Sequence, residues 1–353
     1  MEYLPCADIP YFYCMKYLVL LLFCSLRLSA QDFSAVDKYL EDHIAEYDDN
    51  VVVLVSQHGR LIYEKEINLR ADDKRVIASA SKWLSGAVIM SLVDDRKLAL
   101  TDTVGKFLPI FTKYHKGNIT IRQLFSHTSG FPGNSPERYE YSKELSLADA
   151  VDSIAVHTKM INPPGVAFNY GSVSMQIAGR IAEVVSGKSW QALFNEKIAR
   201  PCDLTANYLL MNLRNPLLAG GVRTSANDYL HFLEMIVNKG VYDHKRVLSE
   251  KALAEMLKDQ TAGAVFQDTP YPLNPASPTP KDTVRYGIGN WIDVHTASGE
   301  IWETSSPGAF GTHPWQDEKN GIAGIIFTRS NIRKSNASSV HVRAMIRDIV
   351  ASH

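Results

Sequence analysis

Residues 51–56, Val-Val-Val-Leu-Val-Ser, form a run that is apolar without a break up to Ser56. His58-Gly59 and a second run over residues 60–64 follow it, a spacing that predicts two strands joined by a tight turn. Upstream, residues 33–47 read as a helix. Far downstream the β style returns, with short runs over 286–294, 300–305, 309–316 and 321–328 separated by Gly, Asn, Pro or charged turns. An amphipathic stretch over 340–350 predicts a last helix packed back on that sheet. Between the β-rich ends, helical periodicity dominates residues 95–230, as in the stretch over 174–185 that stops at Gly187. The fold class expected is therefore α/β of the α+β type. An antiparallel sheet built from both chain ends, residues 31–95 and 231–353, is flanked by helices and carries an all-helical insert over 96–230. The ligand site is expected in the cleft between them. Residues 269–280, rich in proline, read as a surface loop.

The same pattern places Ser79 and Lys82 at the start of a stretch with Trp83, Leu84, Ala87, Val88 and Leu92 at helical spacing. Ser79 is then expected in the first turn, where the helix dipole and free N–H groups favour developing negative charge. A residue three further on shares its face, so the Lys82 amine can reach the serine oxygen. A chain of this length holds roughly one or two S-x-x-K strings by chance, and a solvated Ser and Lys on an amphipathic helix is the plain alternative. Context has to decide.

The chain has 353 residues, is 45% hydrophobic and has a formal net charge of −1. That is enough to bury a sizeable core, and it gives no basic stripe for nucleic acid and no charged surface for a membrane. Lys16 followed by an apolar stretch, with Leu28-Ser29-Ala30 before Gln31, reads as a signal peptide cleaved after Ala30 and starting at Met15. Residues 1–30 are thus a leader, and the location expected is periplasmic or secreted. Cys6, Cys14 and Cys24 fall in it, which leaves Cys202 alone as a small buried hydrophobe, without an intramolecular disulfide. No Cys/His cluster suggests a metal, and no organic cofactor is expected.

Several segments together resemble the serine β-lactamase and penicillin-binding-protein superfamily, in the branch of class C β-lactamases, D-alanyl-D-alanine carboxypeptidases and related esterases. Besides Ser79 and Lys82, Ile119-Thr-Ile-Arg-Gln-Leu-Phe-Ser-His-Thr-Ser-Gly-Phe-Pro-Gly133 resembles L-L-x-H-T-S-G-L-P. Pro163-Pro-Gly-Val-Ala-Phe-Asn-Tyr170 resembles P-P-G-x-x-F-x-Y, and the run from Ala219 to Leu233 is similar to G-G-L-x-S-T-x-x-D. The resemblance implies Ser79 as nucleophile, Lys82 as its activating partner and Tyr170 as a second proton carrier. It also implies an oxyanion hole from the backbone N–H groups of Ser79 and Ala309.

Two departures matter. Tyr-x-Asn appears as Tyr170-Gly171-Ser172, a hydroxyl in place of an amide. The Lys-Thr-Gly or His-x-Gly motif appears as Ser306-Pro307-Gly308, without a cation. A substrate carboxylate usually meets a cation there, so β-lactam turnover becomes less favoured, with Arg329 or Arg333 the candidate replacements. Ser172, Ser306, Gly308, Phe310 and Arg329 are the substrate-binding candidates. Trp83, Phe131, Trp291, Phe310 and Trp315 are candidates for an apolar acyl pocket. His127 is expected to hold its loop by hydrogen bonds, and Asp228 to cap a helix. The function expected is hydrolysis of a small-molecule or peptidic ester or amide by a monomeric enzyme. A D-amino-acid-specific peptidase or weak β-lactamase is the alternative, and a non-hydrolysing binder of peptidoglycan fragments is the alternative from another class.

Overall fold

The computed structural model describes residues 31–208, 214–261, 263–270 and 284–352. The expected leader and most of the proline-rich loop, residues 271–280, lie outside the described residues. Seven antiparallel strands form the main sheet in the order Arg285–Tyr286, Trp291–His295, Ile301–Ser305, His313–Asp317, Ile322–Thr328, Val51–Gln57, Arg60–Ile67. The strand expected over 309–316 starts only at His313, because residues 306–312 form a connecting loop with positive φ at Gly311.

The unbroken apolar run follows from cover on both faces. Val52 and Leu54 join a core with Ala323, Ile325, Phe327 and Trp83, whereas Val51, Val53 and Val55 point the other way. There they meet Val36 and Leu40 of helix Ser34–Asp42 and Val342 and Ile346 of helix Ile332–Ala351. Side chains alternate along a strand, so one apolar sequence serves two cores. Helix Ile332–Ala351 is also tied down by a buried ion group. Arg343 donates to Asp293 and Glu303, each at 3.0 Å, and to His313 Nε2 at 2.9 Å.

Helix Ser81–Asp94 occupies the centre of the molecule, with every side chain from Ser81 to Leu92 buried. A helix buried on every side belongs inside a protein, so the plain alternative of a solvated Ser and Lys on an amphipathic helix does not hold here. Ser79 lies just before it, in a short 3-10 turn over Ala78–Ala80, rather than in its first α turn. Ala78 has φ of 47°, the left-handed region that a residue with a Cβ rarely adopts.

The insert is not all-helical. Ala167–Asn169 pairs in parallel with Val265–Asp268, and Val222–Thr224 pairs with both Arg75–Val76 and Asn207–Tyr208. These short strands are seams that fasten the insert to the sheet region. Helix Ala226–Val237 crosses the boundary expected at residue 230, and its Tyr229, Phe232 and Leu233 share the core of Val52 and Leu54. Asp228 is not its cap. Ser225 caps it, and Asp228 accepts from Thr205 and Thr224 instead. Cys202 is buried, and burial pushes its thiol up to about 12, as suits an inert hydrophobe. Among the described residues no helix is long and apolar enough to cross a membrane, and no cluster of His, Cys, Asp or Glu is arranged to hold a metal ion.

Candidate active site

The turn that carries Ser79 is held from several sides. Ile77 N–H donates to Val222 O at 3.0 Å, Val222 N–H to Ser81 Oγ at 3.0 Å, and Tyr229 Oη to Ala80 O at 2.7 Å. The Lys82 side chain, 2% exposed, reaches back along the helix face. Its Nζ donates to Ser79 Oγ at 3.1 Å and to the carbonyl of Ala219 at 2.9 Å. No carboxylate accompanies it in these bonds, and desolvation pulls its amine down to about 7. At neutral pH a large share of the amine is therefore uncharged and able to take a proton.

Tyr170 closes the group. Its hydroxyl interacts with Ser79, and its ring lies 4.4 Å from Lys82 Nζ. Burial holds its phenol well above the ordinary value, with the interaction with Ser79 offsetting only part of the rise, so it stays protonated at neutral pH. Two motifs fix its place. Gly133 and Gly171 cross so closely that a Cβ on Gly171 would meet Gly133 O at 2.0 Å, and Tyr170 N–H donates to Asp268 O at 2.8 Å. Trp291 leans on the Tyr170 ring at 5.0 Å between centroids.

The loop after strand Ile301–Ser305 comes up against the Ser79 turn. A Cβ on Gly308 would lie 2.0 Å from Ile77 O and 3.2 Å from Ala80 N, which leaves room for hydrogen alone. The N–H groups of Ser79 and Ala309 donate to no protein acceptor among the described residues. That is what an oxyanion hole requires of its donors. Replacing Gly308 by Ala should push loop and turn apart. Activity is expected to fall at least about tenfold, with a stability loss of roughly 1–3 kcal/mol, checked by steady-state kinetics beside urea unfolding.

The remaining candidates divide. Ser306 Oγ donates to Gly289 O at 3.2 Å and to Ser79 O at 3.4 Å, so its hydroxyl braces the turn and is not free for substrate. Ser172 Oγ lies 3.0 Å from Tyr141 Oη, and Tyr141 donates to Asn134 Oδ1 at 2.9 Å. Phe310, 44% exposed, stands next to Ala309. Arg329 is not brought to the site. It is exposed past the end of strand Ile322–Thr328, its N–H bonded to Asn50. Arg333 is exposed in the first turn of the last helix. Among the aromatic candidates, Trp83, Phe131 and Trp315 are core. His127 makes no hydrogen bond through either ring nitrogen. It is packed against the rings of Tyr170, Phe168 and Tyr286, and burial, with Lys82 nearby, drives its pKa well below the ordinary value. The Ala219 carbonyl and Tyr141 were not foreseen from sequence. The former carries no side-chain signal, and the latter reaches Ser172 across 31 residues.

The profile of the Beta-lactamase family matches residues 40–344. The chain belongs to that family. It is a family of serine hydrolases that share this fold, and the Ser79 group sits where two parts of the fold meet. A solved protein from Bacteroides dorei, assigned provisionally to the beta-lactamases, is 31% identical with a TM-score of 0.80, covering 91% of this chain and 99% of that one. EstCE1, described as a hydrolase with promiscuous acyltransferase activity, superposes with a TM-score of 0.71 at 18% identity over 90% of this chain and 97% of its own. Protein flp of Staphylococcus aureus strain N315 is 24% identical over 192 residues, 51% of this chain and 39% of flp. The chain thus spans about two fifths of the length of these curated relatives.

Proposed function

We propose that the protein hydrolyses an ester or amide through an acyl-enzyme on Ser79. The observation that carries the reading is the desolvated Lys82 amine, drawn down to about 7 and 3.1 Å from Ser79 Oγ. Neutral Lys82 takes the hydroxyl proton as Ser79 Oγ attacks the carbonyl carbon, and the oxyanion that forms is met by the N–H groups of Ser79 and Ala309. As the intermediate collapses, the carbonyl carbon parts from the alcohol or amine, which leaves with a proton passed from Lys82 through the protonated Tyr170 hydroxyl. Water then attacks the acyl-enzyme, its proton going to the same groups, and the carboxylic acid departs with Ser79 restored. Tyr170 is the relay and Lys82 the base, because burial disfavours the phenolate and favours the free amine.

Simple esters and amides are preferred over β-lactams in this reading, since Ser306 supplies no charge where a lactam carboxylate would meet one and its hydroxyl is engaged with backbone. The leader-like pattern before Gln31 supports action outside the cytoplasm. To test the substrate class, residues 31–353 would be assayed on short-chain p-nitrophenyl esters, D-alanyl peptides and a chromogenic cephalosporin. Esters are expected to turn over at least about tenfold faster than the cephalosporin by kcat/KM, the size of one missing charge-assisted contact. Faster cephalosporin turnover would overturn the preference.

A further inference from the structure

His127 is a buried ionisable group that the acyl-enzyme chemistry leaves unused. It is 1% exposed, neither ring nitrogen has a hydrogen-bond partner among the described residues, and its φ of 57° lies in the left-handed region. An unsatisfied imidazole and a strained backbone both cost free energy, and such costs persist only where the surrounding structure over-determines them. Here it does. Thr128 N–H donates to Gln123 O at 3.0 Å, and Asn169 N–H donates to His127 O at 2.9 Å. Asn169 ends the short strand that leads into Tyr170.

The imidazole packs directly on the Ser79 group. Its centroid lies 4.7 Å from that of Tyr170, 5.1 Å from that of Tyr286 and 5.6 Å from that of Phe168. Lys82 Nζ lies 4.4 Å from the centroid of the same Tyr170 ring, and the Lys82 charge is near enough to help keep His127 neutral. The ionisable groups facing this pair are the phenols of Tyr170, Tyr286 and Tyr229, all kept protonated by burial. Tyr141 acts on Tyr170 from the loop beside Ser172, and Asp268, on the strand paired with Ala167–Asn169, is exposed. The state of the Lys82 amine is thus set by exclusion of water rather than by a charged partner. Without the imidazole, the space beside Tyr170 would be wide enough for water and would offer it the Tyr286 hydroxyl, which has no partner among the described residues.

We propose that His127 is a positioning residue for the Ser79 chemistry: its ring, wedged against Tyr170, holds the phenol over the Lys82 amine and excludes water from both. This rests on the acyl-enzyme reading above. A ring is needed at a left-handed position, and histidine is one of the residues enriched in that backbone region.

The test follows Lys82 directly by NMR of the ¹³C-lysine-labelled protein, beside kcat/KM against pH for a p-nitrophenyl ester. In wild type one lysine resonance is expected to titrate near 7 and to be missing in Lys82→Met. Asn and Gly both accept the left-handed backbone but lack the ring. In His127→Asn and His127→Gly the titration should move from about 7 to about 8 or higher, and kcat/KM at pH 6 should fall about tenfold, converging on wild type above about pH 9. His127→Phe, which restores a ring, should keep the titration near 7 even where strain makes it less stable. An unmoved titration in the folded ringless variants would overturn the proposal, and so would failure of both to fold, which would assign the ring to core packing. The lysine titration needs no turnover, so a shift in a protein that hydrolyses nothing would sustain the positioning role while the hydrolase reading fell.

Discussion

Ser79→Ala is expected to lower turnover of every substrate by at least about 10⁴-fold while leaving the fold intact, because removal of a nucleophile forfeits the covalent route entirely. The side chain can be removed cheaply. Its hydroxyl accepts from Lys82 and interacts with Tyr170, and the turn itself is held by Ile77, Ser81 and Tyr229 through bonds that do not involve Ser79 Oγ. Unfolding free energy should change by less than about 1 kcal/mol. Matching urea curves with lost turnover would separate chemistry from structure. Retained turnover would mean that another group performs the attack.

Lys82→Met should abolish activity and at the same time stabilise the protein at acid and neutral pH. The sign follows from the lowered pKa. The ordinary lysine value is 10.5 and burial brings this one to about 7, so between these limits the unfolded chain binds the proton that the folded protein releases. Wild-type stability therefore rises with pH across that window, and the full cost of burying the charge is present below about 7. Methionine carries no such cost. Lys82→Met is expected to gain roughly 1–3 kcal/mol at pH 6, an advantage that fades toward pH 10, where the Ala219 carbonyl has lost its donor without compensation. Urea unfolding at pH 6, 8 and 10 reads this directly. A difference that does not vary with pH would contradict a lysine neutral in the folded state. In wild type the same ionisation should appear in kcat/KM, which rises with pH through about 7 to a plateau as the free amine forms.

Much of this architecture is legible in the chain because local chemistry and tertiary role coincide. Val51–Gln57 is apolar at every early position since it serves a core on each face, and helix Val173–Ser186 ends at Gly187, whose φ of 68° is the left-handed cap that glycine accepts readily. Ser79, Lys82 and Tyr170 could be named because their spacing and flanking motifs are specific. What was hidden depends on partners distant in sequence. Helix Ala226–Val237 has an apolar stripe that does not say which core it joins, so a boundary drawn at residue 230 cuts through it. His127 looks like a hydrogen-bonding loop residue, yet its ring is enclosed by Phe168, Tyr170 and Tyr286. Ser306 carries a hydroxyl suited to substrate, and only the fold reveals that backbone carbonyls of Ser79 and Gly289 occupy it. The loss of a cation at the third motif was visible in Ser306-Pro307-Gly308 itself.

The central claim is a covalent intermediate on Ser79, and trapping it is the most direct measurement. The protein, incubated with a p-nitrophenyl ester and quenched in acid within the first turnovers, would be measured intact and as peptides by mass spectrometry. The account predicts one added acyl group on the peptide that contains Ser79, absent from Ser79→Ala. Hydrolysis that proceeds with no adduct, or with the acyl group on another residue, would contradict it.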